Sequence, residues 1–264
     1  MTLAVAHSLA FDHTSHAERS VFMAADSRIT LESGRLVGDD GAKVILLDPV
    51  PAVLAYAGRV DLGELSMAHA AKLVRQEPSP NLDRIKELTL TAFKNFYRPG
   101  VSLWGLLGAV SSNGSSDSIW RLGPHNGKDM TAQLVHPIAM IGDTRAQAAY
   151  ERCRETHWKN LKALRLGSKN VPVAIDHAQR LCIILDYTID EMNQTGQSTI
   201  GRPIQAFIIT KDRWEALGLG KYNQEKGEWE QIHPKPGEVR FEYRELDLSD
   251  LRPLVSELRQ RKPD

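Results

Sequence analysis

The chain has 264 residues, with 33 Lys and Arg against 33 Asp and Glu, so its formal charge is zero. This balance argues against nucleic-acid binding, which needs a basic face, and against a polybasic protein of the membrane surface. The content of 42% hydrophobic and 25% charged residues is that of a globular protein, and no apolar run reaches the roughly 18–20 residues of a membrane span.

Short apolar runs between turn signals predict a series of strands in the first part of the chain. They lie at Leu3–Leu9, Ser20–Ala25, Gly34–Gly38, Lys43–Leu47 and Ala52–Ala57. The polar segment Asp12–Arg19 predicts a long hairpin loop between the first two strands. Helical spacing predicts a helix over Asp61–Gln76 and another after Ser79 and Pro80, an N-cap residue and a first-turn proline.

The rest of the chain repeats this order of strands followed by a helix pair. The predicted strands are Val101–Val110, Ser118–Leu122 and Thr131–Ile141, the helices are Thr144–Leu164 and Val171–Asn193, and Pro203–Thr210 is a further strand. Strands and helices do not alternate one by one, which disfavours a doubly wound parallel sheet. The sequence predicts an α+β fold, a four-layer αββα sandwich of two antiparallel sheets flanked by helix pairs. We expect one domain over residues 1–212 and a C-terminal extension, 213–264, packed on it.

The sequence shows no motif typical of a metal site, a cofactor site or a secreted protein. The two cysteines lack CxxC spacing, and the nine histidines show no HExxH or similar ligand spacing. We therefore expect no metal, no organic cofactor and no disulfide framework. The N-terminus lacks the basic region of a signal peptide, which makes a cytoplasmic location the expectation.

Several short motifs stand together in the first quarter of the chain. Thr2 follows Met1 and is small enough to permit methionine removal. Ala24–Thr30 reads AADSRIT at a strand end, Lys43 opens a later strand, and Ala57–Asp61 reads AGRVD at a strand-to-helix junction. This set resembles the proteasome β-subunit superfamily of N-terminal-nucleophile hydrolases, whose fold is an antiparallel αββα sandwich. The resemblance spans residues 2–212.

Within that superfamily the chain is most similar to the bacterial proteasome-related peptidases called Anbu. Ile141–Arg145, IGDTR, is similar to the turn before the third helix in that group. Asp186–Thr188, followed by Gly201–Ile204, is similar to its D-x-T and G-x-P-I segment.

The resemblance implies a catalytic set of Thr2, Asp26, Lys43 and Gly58. A threonine hydroxyl needs an adjacent base, and the α-amine of an N-terminal threonine, with a reference pKa of about 8, supplies one. Lys43 would favour the developing alkoxide and Asp26 would hold Lys43 in place. The Gly58 N–H would donate to the oxyanion. Acyl transfer through a threonyl ester, on an amide or peptide, is the implied reaction.

Other residues have two roles open to them. Asp143 would cap the third helix, join the site network, or do both. Ile29 and Tyr56 would face the substrate pocket if the resemblance holds, and otherwise belong to the core. Gly58 serves as a turn glycine or as an oxyanion donor, and the two are compatible.

The leading prediction is a proteasome-like threonine-type hydrolase of peptide or protein substrates, with Thr2 as nucleophile after removal of Met1. The alternative is a catalytically inactive structural subunit, because the long loop Ala10–Ser20 puts Asp26 further along the chain from Thr2 than is usual in the superfamily. A third prediction is an amide hydrolase of small molecules. The resemblance also implies a homo-oligomer, as a ring or a helical assembly, and allows an ATP-dependent unfoldase as partner.

Overall fold

The computed structural model describes residues 2–10, 19–30, 36–38, 43–163, 173–196, 199–202, 204–212, 214–223 and 228–232. Met1, residues 12–18 of the predicted hairpin loop and residues 233–264 of the predicted C-terminal extension lie outside these residues. The division of the chain at residue 212 stays a prediction.

Two antiparallel sheets form the middle of the fold. The strands of the larger sheet, in the order in which they lie side by side, are β10 (Ile138–Gly142), β1 (Leu3–Ala10), β2 (Arg19–Asp26), β11 (Ile204–Ile209), β12 (Trp214–Asn223) and β13 (Glu228–Ile232). Those of the second sheet, again in spatial order, are β5 (Val44–Leu46), β6 (Ala52–Gly58), β7 (Leu103–Val110), β8 (Asp117–His125) and β9 (Asp129–Val135). A short ribbon pairs β3 (Ile29–Thr30) with β4 (Leu36–Gly38).

A pair of helices packs on the outer face of each sheet. α1 (Val60–Gln76) and α2 (Leu82–Phe96) cover the second sheet, while α3 (Thr144–Ala163) and α4 (Val173–Gln194) pack against the larger one in a shared apolar core. The layers are therefore helix, sheet, sheet, helix. This arrangement confirms the predicted αββα sandwich.

The alternation of side chains along β1 explains how one strand serves two cores. Ala4 and Ala6 face the second sheet and join the apolar core between the sheets, whereas Leu3 and Val5 face α3 and α4. Successive side chains of a strand point to opposite faces of its sheet, so the apolar run Leu3–Ala6 fits a segment buried on both faces.

Two predicted elements differ from the structure. The single strand predicted over Thr131–Ile141 is two strands in different sheets, β9 and β10, separated at His136 and Pro137. The predicted N-cap of α2 at Ser79 is also wrong, because the helix begins at Leu82 and the Asn81 side chain accepts a hydrogen bond from the Arg84 N–H at 2.8 Å. Asn is as good an N-cap as Ser, so the residue type was right and the position was not.

Four helices lie in the described residues, and none of them combines the length and the apolar composition needed to cross a bilayer.

Candidate active site

Thr2 lies at one end of the sandwich, on the wall of a cavity of about 300 Å³. Its neighbours on the wall are Gly58, Ser102, Trp104, Gly142, Asp143, Thr144 and Arg145. Three of the predicted site residues, Thr2, Gly58 and Asp143, therefore share one cavity, although they come from both sheets and from the junction before α3. A volume of this size is at the small end of ligand pockets.

The backbone around Thr2 is held from two sides. The carbonyl oxygen of Thr2 accepts a hydrogen bond from the Asp143 N–H at 2.8 Å, and the N–H of Leu3 donates to Asp26 Oδ1 at 2.8 Å. Gly142 permits the close approach, because a Cβ there would lie 1.7 Å from the Thr2 carbonyl oxygen, and its φ is +107°. The start of β1 is thus fixed to the ends of β2 and β10.

Asp26 and Lys43 form a buried ion pair behind this segment. Lys43 Nζ lies 3.2 Å from Asp26 Oδ2, and both residues are fully buried. The same ammonium group donates to the carbonyl oxygen of Arg28. Oδ2 of Asp26 also accepts from the N–H groups of Arg28 at 3.0 Å and Gly201 at 3.3 Å. The predicted pairing of Asp26 with Lys43 is thus present in the structure.

The partners of Asp26 are all donors, which suits a carboxylate. Complete burial raises the pKa of Asp26 above its ordinary value, and the Lys43 cation and the backbone N–H groups of Leu3 and Gly201 oppose that rise. A protonated carboxyl would need an acceptor, and its described partners offer none. We therefore treat the pair as ionised near neutral pH.

The position of Lys43 is set by its backbone as well as by Asp26. Its N–H donates to Gln205 Oε1 at 2.8 Å, and its carbonyl oxygen accepts from the Tyr56 N–H at 3.2 Å. Gln205 belongs to β11 of the larger sheet, whereas Lys43 precedes β5 of the second sheet. One amide side chain thus ties the two sheets together next to the ion pair.

Gly58 occupies a backbone position that only glycine fits. Its φ is +109°, and an added Cβ would lie 2.1 Å from the carbonyl oxygen of Ser102. That carbonyl oxygen also accepts the Arg59 N–H at 2.9 Å. Gly58 is therefore a structural glycine at the strand-to-helix junction and also part of the cavity wall, so the two predicted roles remain compatible.

Asp143 precedes α3 and is buried. Its Oδ1 accepts the Arg145 N–H at 2.8 Å, its Oδ2 accepts the Thr199 hydroxyl at 2.9 Å, and the Arg145 guanidinium lies 3.4 Å from Oδ2. Burial alone would raise the pKa of Asp143, but these donors outweigh it and hold the pKa below its ordinary value. Asp143 thus caps the helix and also lies on the cavity wall.

The two residues predicted for the substrate pocket lie elsewhere or cannot be placed. The Tyr56 ring is fully buried on the helix side of β6, where a Cβ on Gly63 of α1 would lie 2.0 Å from it. It is not among the residues that line the cavity. The backbone of Ile29 belongs to β3, and its side chain lies outside the described part of the structure.

Sequence reasoning missed several residues that complete the site. Thr199 and Gly201 donate to the two carboxylates, Gln205 holds Lys43, and Trp104 and Arg145 line the cavity. Two of these residues lie in motifs that the sequence showed, since Gly201 opens the G-x-P-I segment and Arg145 closes IGDTR. The signal marked the segments without saying which atoms they contact.

The arrangement suits nucleophilic chemistry by a residue at position 2. Thr2, which carries a hydroxyl, lines the cavity together with the Gly58 backbone of the second sheet. The buried Asp26–Lys43 pair bonds the N–H of the next residue, Leu3. In the described ranges, no group of three or more His, Cys, Asp and Glu side chains is arranged to hold a metal ion.

No protein-family model and no curated protein sequence matches the chain. Among solved structures it is similar to Anbu (a Gly-1 mutant) from Hyphomicrobium sp. strain MC1, with a TM-score of 0.57 and 14% sequence identity. The similarity covers 100% of this chain and 99% of that one. The sequence resemblance to Anbu is therefore confirmed at the level of the fold, and the chain shares the α+β sandwich fold of that protein.

Proposed function

We propose that the chain is a proteasome-like threonine-type hydrolase of amide or peptide bonds, with Thr2 as the nucleophile once the residue before it has been removed. The observation that carries this proposal is the position of Thr2 on the wall of the cavity that Gly58 and Asp143 also line. The buried Asp26–Lys43 pair, bonded to the N–H of Leu3, supports it. The fold shared with Anbu agrees with it.

In the proposed reaction the freed α-amine of Thr2 takes the proton from its own hydroxyl, directly or through water. Oγ1 attacks the carbonyl carbon of the substrate, and the negative charge moves to the carbonyl oxygen, where the Gly58 N–H donates to it. The carbon–nitrogen bond breaks, and the leaving amine takes the proton held by the α-amine. Water then hydrolyses the threonyl ester and restores Thr2.

The ion pair has an electrostatic role in this scheme. Lys43 carries its positive charge close to the start of β1, because Asp26 bonds both Lys43 Nζ and the Leu3 N–H. A fixed cation lowers the proton affinity of a neighbouring amine, so that more of the amine is a free base near neutral pH. The pair is buried and therefore little screened by solvent ions.

The test compares Thr2→Ala and Thr2→Ser with the unchanged chain, on a peptide library and on a small acyl amide. We expect Thr2→Ala to lower the hydrolysis rate by on the order of 100-fold or more, and Thr2→Ser, which keeps a hydroxyl, to retain part of it. Thr195→Ala is the matched control, since its hydroxyl bonds only the Met192 carbonyl oxygen at the end of α4 among the described contacts. A Thr2→Ala variant that hydrolyses as fast as the unchanged chain would overturn the proposal.

The same experiment separates the other candidate functions. Turnover of the acyl amide without any peptide cleavage would support the small-molecule hydrolase. Absence of all hydrolysis, together with a large mass on size-exclusion chromatography, would support the inactive structural subunit of a homo-oligomer. The proposal also includes a cytoplasmic location, and it allows an ATP-dependent unfoldase as partner.

A further inference from the structure

A short loop between α4 and β11 contacts both carboxylates of the candidate site. Thr199 Oγ1 donates to Asp143 Oδ2 at 2.9 Å, and the N–H of Gly201 donates to Asp26 Oδ2 at 3.3 Å. The two acids are 117 positions apart in the chain, and these two bonds join them through a segment of three residues. We call residues 199–202 the bridging loop.

The bridging loop is fastened to α4 by Arg202. Its Nε donates to Asp186 Oδ1 at 2.6 Å, and its Nη2 donates to Asp190 Oδ1 at 2.8 Å and to the Asp186 carbonyl oxygen at 3.4 Å. Asp186 and Asp190 are one helical turn apart and so lie on the same face of α4. The planar guanidinium can contact both carboxylates at once, which the single ammonium of a lysine does less well.

Packing adds a second constraint on the loop. Gly201 lies directly under the Arg28 side chain, where an added Cβ would come within 2.3 Å of Arg28 Nε. The loop is therefore held from α4 by Arg202 and covered by Arg28. Since Arg28 directly follows Asp26 and Ser27 at the end of β2, a shift of the loop would disturb the Asp26 neighbourhood as well as Asp143.

We infer that Arg202 is a positioning residue for the candidate site, and that it acts by fixing the bridging loop through Asp186 and Asp190. Thr199 and Gly201 transmit its position to the Asp143 and Asp26 carboxylates. The Asp143 N–H and Asp26 Oδ1 in turn fix the backbone on either side of Thr2. Arg202 itself touches neither Thr2 nor the cavity wall in the contacts described. The effect of this positioning on hydrolysis rests on the proposed function.

The test compares Arg202→Gln and Arg202→Lys with Arg152→Gln as matched control. Arg152 also bonds a carboxylate of α4, that of Glu191, but it is exposed and does not contact the bridging loop. We expect Arg202→Gln to lower kcat by on the order of 10- to 100-fold with KM nearly unchanged, because the reacting groups are displaced while the cavity remains. Arg202→Lys should restore part of kcat, and Arg152→Gln should behave like the unchanged chain.

A second measurement does not depend on activity. Hydrogen exchange at the N–H groups of Leu3 and Arg145 reports their bonds to Asp26 and Asp143. We expect exchange at both to accelerate in Arg202→Gln and to stay unchanged in Arg152→Gln. If Arg202→Gln does not fold, Asp190→Asn, which removes only the more exposed carboxylate of the pair, should show the same changes to a smaller extent.

The outcomes are distinguishable from those for the proposed function. If the unchanged chain hydrolyses nothing, the proposed function fails, and the exchange rates alone decide whether Arg202 positions the carboxylates. Unchanged exchange at Leu3 and Arg145 in a folded Arg202→Gln variant overturns the inference, whatever the activity. Equal losses of kcat in Arg202→Gln and Arg152→Gln would overturn it too, since they would indicate a general effect on α4.

Discussion

Replacing Lys43 by methionine removes the cation of the buried ion pair and keeps a side chain of similar length. Asp26 would remain fully buried, with the backbone donors of Leu3, Arg28 and Gly201 as its remaining described partners. Removing one member of a buried pair leaves an uncompensated charge, at a cost of about 3–5 kcal/mol. That is a large share of the roughly 5–15 kcal/mol by which a domain is stable. We expect the free energy of unfolding to fall by this amount near neutral pH.

The pH dependence of this loss distinguishes an electrostatic cause from a packing defect. Burial already raises the pKa of Asp26, and removal of the cation would raise it further. A carboxyl whose folded-state pKa lies above its unfolded-state value binds protons more readily in the folded state, so acid stabilises the variant relative to the unchanged chain. The stability difference should be largest at about pH 7 and shrink as the pH is lowered toward about pH 4, because Asp26 takes up a proton in the folded variant at a higher pH than in the folded unchanged chain.

The assay is urea unfolding followed by circular dichroism across this pH range, on Lys43→Met, Asp26→Asn and the double variant. The exposed pair of Arg84 with Glu77 provides the control, and Arg84→Met should leave stability within error of the unchanged chain. The two single losses should not add up in the double variant, because the second change removes the partner that the first left unpaired. A Lys43→Met variant as stable as the unchanged chain at neutral pH, or a loss that does not vary with pH, would contradict an electrostatic role for the ion pair.

Two further changes test the wall of the cavity and the helix-side core. Gly58→Ala should cost about 1–3 kcal/mol from the positive φ alone, with an added clash against the Ser102 carbonyl oxygen, and should abolish hydrolysis. Gly100→Ala is its control, since it also has a positive φ but no atom within 4 Å of the added Cβ, and should leave hydrolysis intact. Burial, aided by the charges of Arg154 and His177, lowers the pKa of His7 to about 3. The free energy of unfolding therefore falls as the pH drops below about 6.5, by up to about 1.4 kcal/mol per pH unit. His7→Gln should remove this contribution to the pH dependence of the free energy of unfolding, measured by urea unfolding.

The order of strands and helices could be predicted because periodicity and turn residues are local signals. The fold class followed from that order, since blocks of strands between helix pairs disfavour a doubly wound parallel sheet. The break at His136 and Pro137 was missed because both flanking segments are apolar enough to be read as one strand, and only the pairing of β10 with β1 shows that they belong to different sheets.

The motifs of the site could be predicted from the sequence, whereas the contacts between its residues could not. Asp26, Lys43 and Gly58 stand in short local patterns, whereas the bond from Thr199 to Asp143 joins residues 56 positions apart and has no local signal. The full burial of Lys43 was equally hidden, because a lysine at a strand end normally faces solvent.

Tyr56 shows the opposite case, where a local rule was available. Neighbouring residues in a strand point to opposite faces, and Ala57 faces the core between the sheets, so Tyr56 points toward the helices. The pocket prediction for Tyr56 depended on the resemblance alone.

The proposed function requires Thr2 to become an N-terminal nucleophile. Intact-mass analysis and peptide mapping of the native protein, before and after a covalent inhibitor directed at N-terminal threonine, test it most directly. If Thr2 is the nucleophile, the native chain begins at Thr2 and gains the mass of one inhibitor molecule on that residue, and Thr2→Ala gains none. A native chain that quantitatively keeps a residue before Thr2, or an adduct that persists in Thr2→Ala, would contradict it.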